Sequence, residues 1–278
     1  MKRNTAKLAP YSVLMAAYKR ERPGFLYESI DSMLKQTLPF DEFIIVKDGK
    51  LTEELDEIIN TFVKKDKRFK VVALKNNCGL GIALAKGLNK CANDYVLRMD
   101  SDDISLPDRA ETQMNFMKAN PQIDVCGGDI YEFRATIDEP DIRLKKMASG
   151  QELEKYLRKR NPLNHMTVCL KKSAVERAGG YEDMPCMEDY WLWVRLYNTG
   201  GKLANIGKPL VYARIGNGFE KRRGNKAQLK SWKTIQQYML RNKMITPGRK
   251  RLNSFNMWAM VRMPNFTRKL TYGLLRKK

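Results

Sequence analysis

The sequence predicts an α/β fold built on a doubly wound, mostly parallel and twisted sheet, followed by basic C-terminal helices. Three observations predict it. Short β-rich runs alternate with helical patterns through the first half, those runs are apolar throughout rather than at every second position, and the positive charge is concentrated at one end of the chain. Strands buried on both faces read as unbroken apolar runs, and their alternation with helices points to a parallel sheet covered on both sides.

The first half gives four strand and helix pairs: "SVLMAAY" then 25–36, "EFIIVKD" then 52–65, "FKVVALK" then 80–92, and "YVLRMD" then 107–119. The second half predicts a strand over 124–133, a helix near 151–160 and a strand in "HMTVCLKK". A short helix, "SAVERAGG", follows, then one opened by "MEDYWLWVRLYNTGG" and a last strand in "KLANIGKPLVYAR". After Arg214 the stretch "IGNGFEKRRGN" reads as a loop. Beyond it, 226–243 and 252–275 form helical patterns joined through "TPGRK", with Leu252, Phe255, Ala259, Phe266, Leu270 and Leu274 at helical spacing.

A chain of 278 residues with 43% hydrophobic content can bury a substantial core. Of the formal +21, 17 charges lie in residues 221–278, which hold no Asp or Glu. A near-neutral body with a basic end seeks phosphate, whether in lipid headgroups, nucleic acid or an anionic substrate. Five scattered cysteines form no CxxC pair and stand with a single histidine, which argues against zinc and against a disulfide framework. The expected compartment is a reducing cytosol, and the apolar run Val13–Tyr18 is too short for a signal or membrane-spanning segment.

Asp100, Asp102 and Asp103 crowd at the end of the fourth apolar run. Like charges at that spacing raise one another's pKa unless a cation joins them. Hard divalent ions take oxygen ligands, and Mg²⁺ in particular is held by one or two carboxylates together with substrate phosphates. The competing use is capping, by Asp103 or Ser105, of the helix after Pro107. Spacing alone leaves both open. In open α/β sheets ligands bind beyond the carboxyl ends of the strands, so Asp48 and Asp100 are expected to face one crevice.

Five ordered blocks, "VLMAAYKRERPGFLYESIDSMLKQT", "IIVKDG", "NNCGLGIALAKGL", "YVLRMDSDDISLPDR" and "GGYEDMPCMEDYWLWVRL", span roughly residues 11–215. Together they closely resemble family 2 glycosyltransferases of the GT-A fold, and among these the bacterial enzymes that assemble capsular and exopolysaccharide repeat units. The resemblance implies a single Rossmann-like nucleotide-binding domain with a mixed, mostly parallel sheet. It places a catalytic domain over 1–220, with a donor half to about 103 and an acceptor half from 104, and leaves 221–278 as a basic amphipathic helical region.

The resemblance implies that Asp102, with Asp100, holds Mn²⁺ or Mg²⁺ against the donor diphosphate, and that Asp189, paired with Glu188, is the catalytic base of an inverting transfer. Asp48 matches the residue that recognises a uracil-type base, whose imide N–H a carboxylate can accept; without the resemblance it reads as a turn residue before Gly49. Further donor contacts are implied for Ala17, Tyr18, Glu21, Asn77, Gly79, Ser101, His165, Arg222 and Arg223. Many relatives carry Arg-Asn where this chain has Leu84-Ala85, so that contact is missing here.

Several residues keep two readings. Acids opening a helix, such as Glu188 and Asp189, complement its dipole whatever else they do. His165 is a packing residue or a diphosphate or acceptor contact. Arg214, Lys221, Arg222 and Arg223 form a flexible cationic lid or a solvated basic loop. Trp191 and Trp193 cannot both face the core squarely, so either one offers a surface for a sugar ring or each is ordinary core packing.

The implied partners are a nucleotide-sugar donor, with a UDP-sugar expected, a lipid-linked saccharide acceptor and the anionic inner face of the cell membrane, where the chain is expected to sit peripherally. Basic helices with aromatic residues suit that interface; the alternative is a helical subdomain docked on the catalytic core with its cations solvated. Two other classes compete: a basic nucleic-acid-binding protein, which lacks a recognisable nucleic-acid module here, and a nucleotide-sugar pyrophosphorylase on a related fold, which lacks its glycine-rich basic loop near the first strand.

Overall fold

The computed structural model describes residues 8–139, 142–215 and 226–262. The parallel half is made of β1 (Tyr11–Ala17), β2 (Glu42–Lys47), β3 (Phe69–Ala73) and β4 (Tyr95–Asp100). They alternate with α1 (Pro23–Leu34), α2 (Glu53–Lys65) and α3 (Leu80–Lys90). There follow β5 (Ile104–Ser105), α4 (Arg109–Ala119), β6 (Val125–Phe133), β7 (Arg143–Lys145), α5 (Gly150–Leu157), β8 (Cys169–Lys171), α6 (Lys172–Arg177), α7 (Glu188–Asn198) and β9 (Leu203–Arg214). Two helices, α8 (Lys226–Arg241) and α9 (Pro247–Arg262), complete the described chain.

One nine-stranded sheet runs in the order β3-β2-β1-β4-β8-β6-β9-β5, with β7 on β6. The first four strands are parallel, and β8 runs antiparallel to both β4 and β6, which makes the sheet mixed. The continuous apolar runs are explained by its two covered faces. Leu14, Ile44, Val46 and Val96 point to a core that includes residues of α3 and α7. Their strand neighbours Val13, Phe43, Ile45 and Leu97 point to a second core with α1, α2 and α4.

Register places the site. Ala17 pairs with Lys47 and Ala16 with Asp100, so the carboxyl ends of β1, β2 and β4 stand side by side.

The sequence reading needs three corrections. "HMTVCLKK" is not one strand: His165–Thr167 form a 3-10 turn, and only Cys169–Lys171 pair in the sheet. "TPGRK" is not a linker but the start of α9. The Thr246 hydroxyl accepts the Arg249 N–H at 3.2 Å and Pro247 takes the first helical position, where a missing N–H costs nothing. β5 and β7, of two and three residues, have no counterpart in the sequence reading. Phe266, Leu270 and Leu274 lie outside the described residues.

The C-terminal helices are anchored on the α/β body. Trp232, Ile235 and Met239 of α8 join the core beside α7, and the Asn253 amide of α9 donates to the Arg158 carbonyl and to Gln236, both at 2.9 Å. α9 nevertheless leaves Leu252, Phe255 and Trp258 exposed. Among the described residues no helix is long and apolar enough to cross a membrane.

Candidate active site

The site is built along the three aligned strand ends. At the end of β2 the Asp48 carboxylate accepts the Asn77 amide at 2.9 Å, the Cys78 N–H at 2.7 Å and the Gly79 N–H at 3.1 Å. Asp48, Asn77 and Gly79 are thus brought together as one turn. Gly49 completes it: its φ is +84° and a Cβ there would lie 2.7 Å from the Asn77 nitrogen. Beside this turn lies a cleft of ≈ 450 Å³ lined by Lys19, Lys50 and Lys75 along with Asp48 and Asn77. Sequence reasoning passed over these lysines although Lys19 and Lys75 lie within quoted stretches and Lys50 borders one, because single lysines read as surface.

The β1 end turns at Tyr18, whose carbonyl accepts the Glu21 N–H at 3.0 Å. Glu21 reaches across to β4, where its carboxylate accepts the Ser101 hydroxyl at 2.5 Å. Ala17 is buried in the floor.

Acidic oxygens of Asp100, Asp102 and Asp103 lie within 4.8 Å of one another. Asp103 is buried, and burial first, then Asp102 and Asp100, push its carboxyl well above the usual range. Neither Asp103 nor Ser105 caps α4, contrary to the capping alternative. Asp103 accepts the backbone N–H of Arg214 at 2.8 Å, and the Ser105 hydroxyl accepts Arg109 at 2.9 Å. An all-oxygen set of mutually repelling carboxylates fits a hard divalent cation, which would remove the penalty they impose on one another.

Arg214 is not part of a lid. Its guanidinium is packed between Phe25 and Phe133, at 3.8 and 4.5 Å from the ring centres, and donates to the Asp102 carbonyl at 3.1 Å and to Glu28 at 2.5 Å. It braces the acidic turn from behind. Lys221, Arg222 and Arg223 lie outside the described residues.

Arg98, read at first as one more residue of an apolar run, is fully buried and pairs with Asp100. Burial works against its charge, but Asp100, with Tyr181 and Glu188 behind it, outweighs burial and keeps the guanidinium charged. Its Nε and Nη1 have no hydrogen-bond partner among the described residues.

On the other side of the crevice, α7 opens with Glu188 and Asp189. Gly81 makes this approach possible: a Cβ there would lie 2.3 Å from the Glu182 carbonyl and 3.2 Å from the Glu188 Cβ, so the start of α3 can rest against the start of α7. Both Asp189 oxygens are held, one by the Tyr190 N–H at 2.6 Å and the other by the Asn161 amide. Burial, then the neighbouring Asp189, push the Glu188 carboxyl up to about 7. Sequence reasoning missed Asn161, whose role depends on a contact 28 residues away.

His165 bonds Tyr181 at 2.9 Å and meets Trp193 edge-on at 5.9 Å. Burial, reinforced by the Arg98 charge, holds it well below its usual pKa and therefore neutral. Trp191 and Trp193 offer no sugar platform; both are buried, because α7 is covered by α3, α6 and α8 together. Leu84 is buried within α3.

The profile of glycosyl transferase family 2 matches residues 12–179. The chain belongs to glycosyl transferase family 2. As a family 2 glycosyltransferase it is 39% identical over 214 residues to an Escherichia coli UDP-Gal:alpha-D-GlcNAc-diphosphoundecaprenol beta-1,3-galactosyltransferase, covering 77% of this chain and 77% of that one. It is 37% identical over 216 residues to the amylovoran biosynthesis glycosyltransferase AmsE of Erwinia amylovora, covering 77% and 80%. The crystal structure of S. aureus TarS 1-349 in complex with UDP-GlcNAc matches with a TM-score of 0.69 at 18% identity, over 89% of this chain and 71% of that one. That likeness fixes the fold, which is GT-A.

Proposed function

We propose that this glycosyltransferase moves one sugar, with inversion, from a UDP-sugar to a lipid-linked saccharide in the synthesis of a bacterial surface polysaccharide. The observation that carries the reading is the placement of Asp189 at the N-terminus of α7, with both oxygens anchored, on a crevice whose sheet side bears the Asp100, Asp102 and Asp103 cluster. The relatives' names support the donor and acceptor classes.

In this reading the uridine lies against the Asp48 turn, with Lys19, Lys50 and Lys75 lining the cleft beside it. Asp189 takes the proton of the acceptor hydroxyl as its oxygen bonds to the anomeric carbon, and the nucleoside diphosphate leaves from the opposite face of the sugar. Asp100 and Asp102 would hold Mn²⁺ or Mg²⁺, which when bound neutralises charge on the departing diphosphate. Arg214, bound to the Asp102 carbonyl, keeps the acidic turn in place. Arg98 pairs with Asp100 and, kept charged itself, lends positive potential to the whole crevice.

The exposed Leu252, Phe255 and Trp258 of α9, set in the acid-free end of the chain, support peripheral docking on the anionic cytoplasmic leaflet, where the acceptor lipid is met. The test is a panel of UDP-, GDP- and dTDP-sugars with Mn²⁺ or with EDTA, read by thermal stabilisation and slow nucleoside diphosphate release. Metal-dependent stabilisation by one UDP-sugar, lost in Asp102→Ala, is the expected result; indifference to every nucleotide would refute the reading.

A further inference from the structure

A second concavity, of ≈ 710 Å³, lies where the corner between α8 and α9 meets the end of α5. Lys155, Arg158, Lys159, Lys243 and Arg249 line it with no carboxylate among the lining residues, and Leu240, Met244 and Ile245 supply an apolar wall. Lys155 is paired with Glu152 outside the cleft, whereas Lys159, Lys243 and Arg249 form no ion pair with any described residue. Glu152 offsets Lys155 and part of the Lys159 charge, and the repulsion among the remaining cations is a cost that an anion removes. The cleft is fixed in place, because the Asn253 clamp ties α9 to the Arg158 carbonyl.

Its position gives it a role. Arg158 stands three residues before Asn161, whose amide holds Asp189, and three residues span at most about 10 Å. The adjoining Leu157 carbonyl accepts the Tyr190 hydroxyl at 2.7 Å. The cleft therefore borders the side of the crevice where the acceptor must approach the base.

We propose that this cleft binds the diphosphate of the acceptor lipid, with the apolar wall receiving the first units of its hydrocarbon chain. The combination of several cations with Leu240, Met244 and Ile245 suits a phosphate-headed amphiphile better than a free anion, and for an acceptor with a single sugar, such as the one named for the Escherichia coli relative, one ring separates the diphosphate from the hydroxyl that Asp189 would deprotonate. The inference rests on the reading of the chain as a transferase to a lipid-linked acceptor.

The experiment is calorimetric titration of the full chain, its donor site filled with UDP and Mn²⁺, using farnesyl diphosphate and, separately, farnesol. Farnesyl diphosphate is expected to bind and farnesol not, and Lys159→Glu with Arg249→Glu is expected to weaken farnesyl diphosphate roughly tenfold or more while leaving UDP affinity unchanged. Absence of binding to the unaltered chain, or equal binding by the doubly substituted one, overturns the proposal. So does a doubly substituted chain that loses phosphatidylglycerol vesicles yet keeps farnesyl diphosphate, because the cleft then serves bulk headgroups. Failure of every nucleotide-sugar to turn over would refute the transfer reading instead, and the farnesyl diphosphate titration reads out independently of it.

Discussion

The backbone N–H of Arg214 donates to the buried Asp103 carboxylate at 2.8 Å, joining the end of the last strand to the acidic turn 111 residues earlier. The Arg214 side chain then grips the Asp102 carbonyl and Glu28 between two phenyl rings. Arg214→Met keeps the N–H but removes the grip and leaves the Asp102 carbonyl without its donor. A loss of about 2–3 kcal/mol in urea unfolding is expected, with Mn²⁺ binding weakened by roughly tenfold as the turn loosens. Unchanged Mn²⁺ affinity would show that the turn holds its shape without the arginine.

Glu188 makes stability depend on pH. Its carboxyl is raised from 4.5 to about 7 by burial and by Asp189, so the folded state binds its proton more tightly than the unfolded one. Its contribution is complete below pH 4.5 and is lost as pH rises through 7. Glu188→Gln removes that loss, and without metal the variant is expected to be more stable than the parent at pH 8, by about 3 kcal/mol at most, and equal to it at pH 4.5. A parent and variant that differ equally at both pH values would mean that Glu188 is ionised throughout.

Much of this arrangement was legible in the sequence, and the reasons for the exceptions are physical. β1, β2 and β4 could be read because both of their faces are covered, which leaves unbroken apolar runs, whereas the edge strand β3 is half exposed; Asp48, Asp100 and Asp189 stand at element ends, where spacing alone left turn, capping and helix-dipole readings open and the resemblance singled them out. Arg98 was hidden because a single cation inside such a run looks like noise; only the fold shows it fully buried beneath Asp100. Arg214 was misplaced in a lid because it borders a glycine-bearing loop, while its burial is decided by Phe25 and Phe133, distant in sequence. The two-residue β5 exists only because β9 pairs with it.

Asn161 and Asp189 separate orientation from chemistry. Asp189→Asn is expected to abolish transfer, by about 10²–10⁴-fold, while UDP-sugar affinity is retained. Asn161→Ala removes one donor to the Asp189 carboxylate and keeps the carboxylate proposed as the base. It is expected to lower kcat by roughly tenfold and leave the donor KM unchanged, because the carboxylate loses a donor that orients it. An unchanged kcat would limit Asn161 to a structural role.

Phe255 and Trp258 stack at 6.0 Å on the exposed side of α9, with Arg262 over the Trp258 ring at 4.8 Å. A pair of aromatic rings left in water beside cations lowers its free energy by entering an anionic interface. Burying each ring there contributes about 1.5–3 kcal/mol, against about 1 kcal/mol for each nearby cation. Phe255→Ser with Trp258→Ser should therefore reduce sedimentation with phosphatidylglycerol vesicles by at least tenfold and leave transfer to a water-soluble short-chain acceptor intact. Because both residues are exposed, the substitutions should leave the thermal midpoint within a few degrees of the parent. Should vesicle binding survive the double substitution but vanish at high salt, attraction of the cations alone would account for it, and the aromatic pair would have another partner.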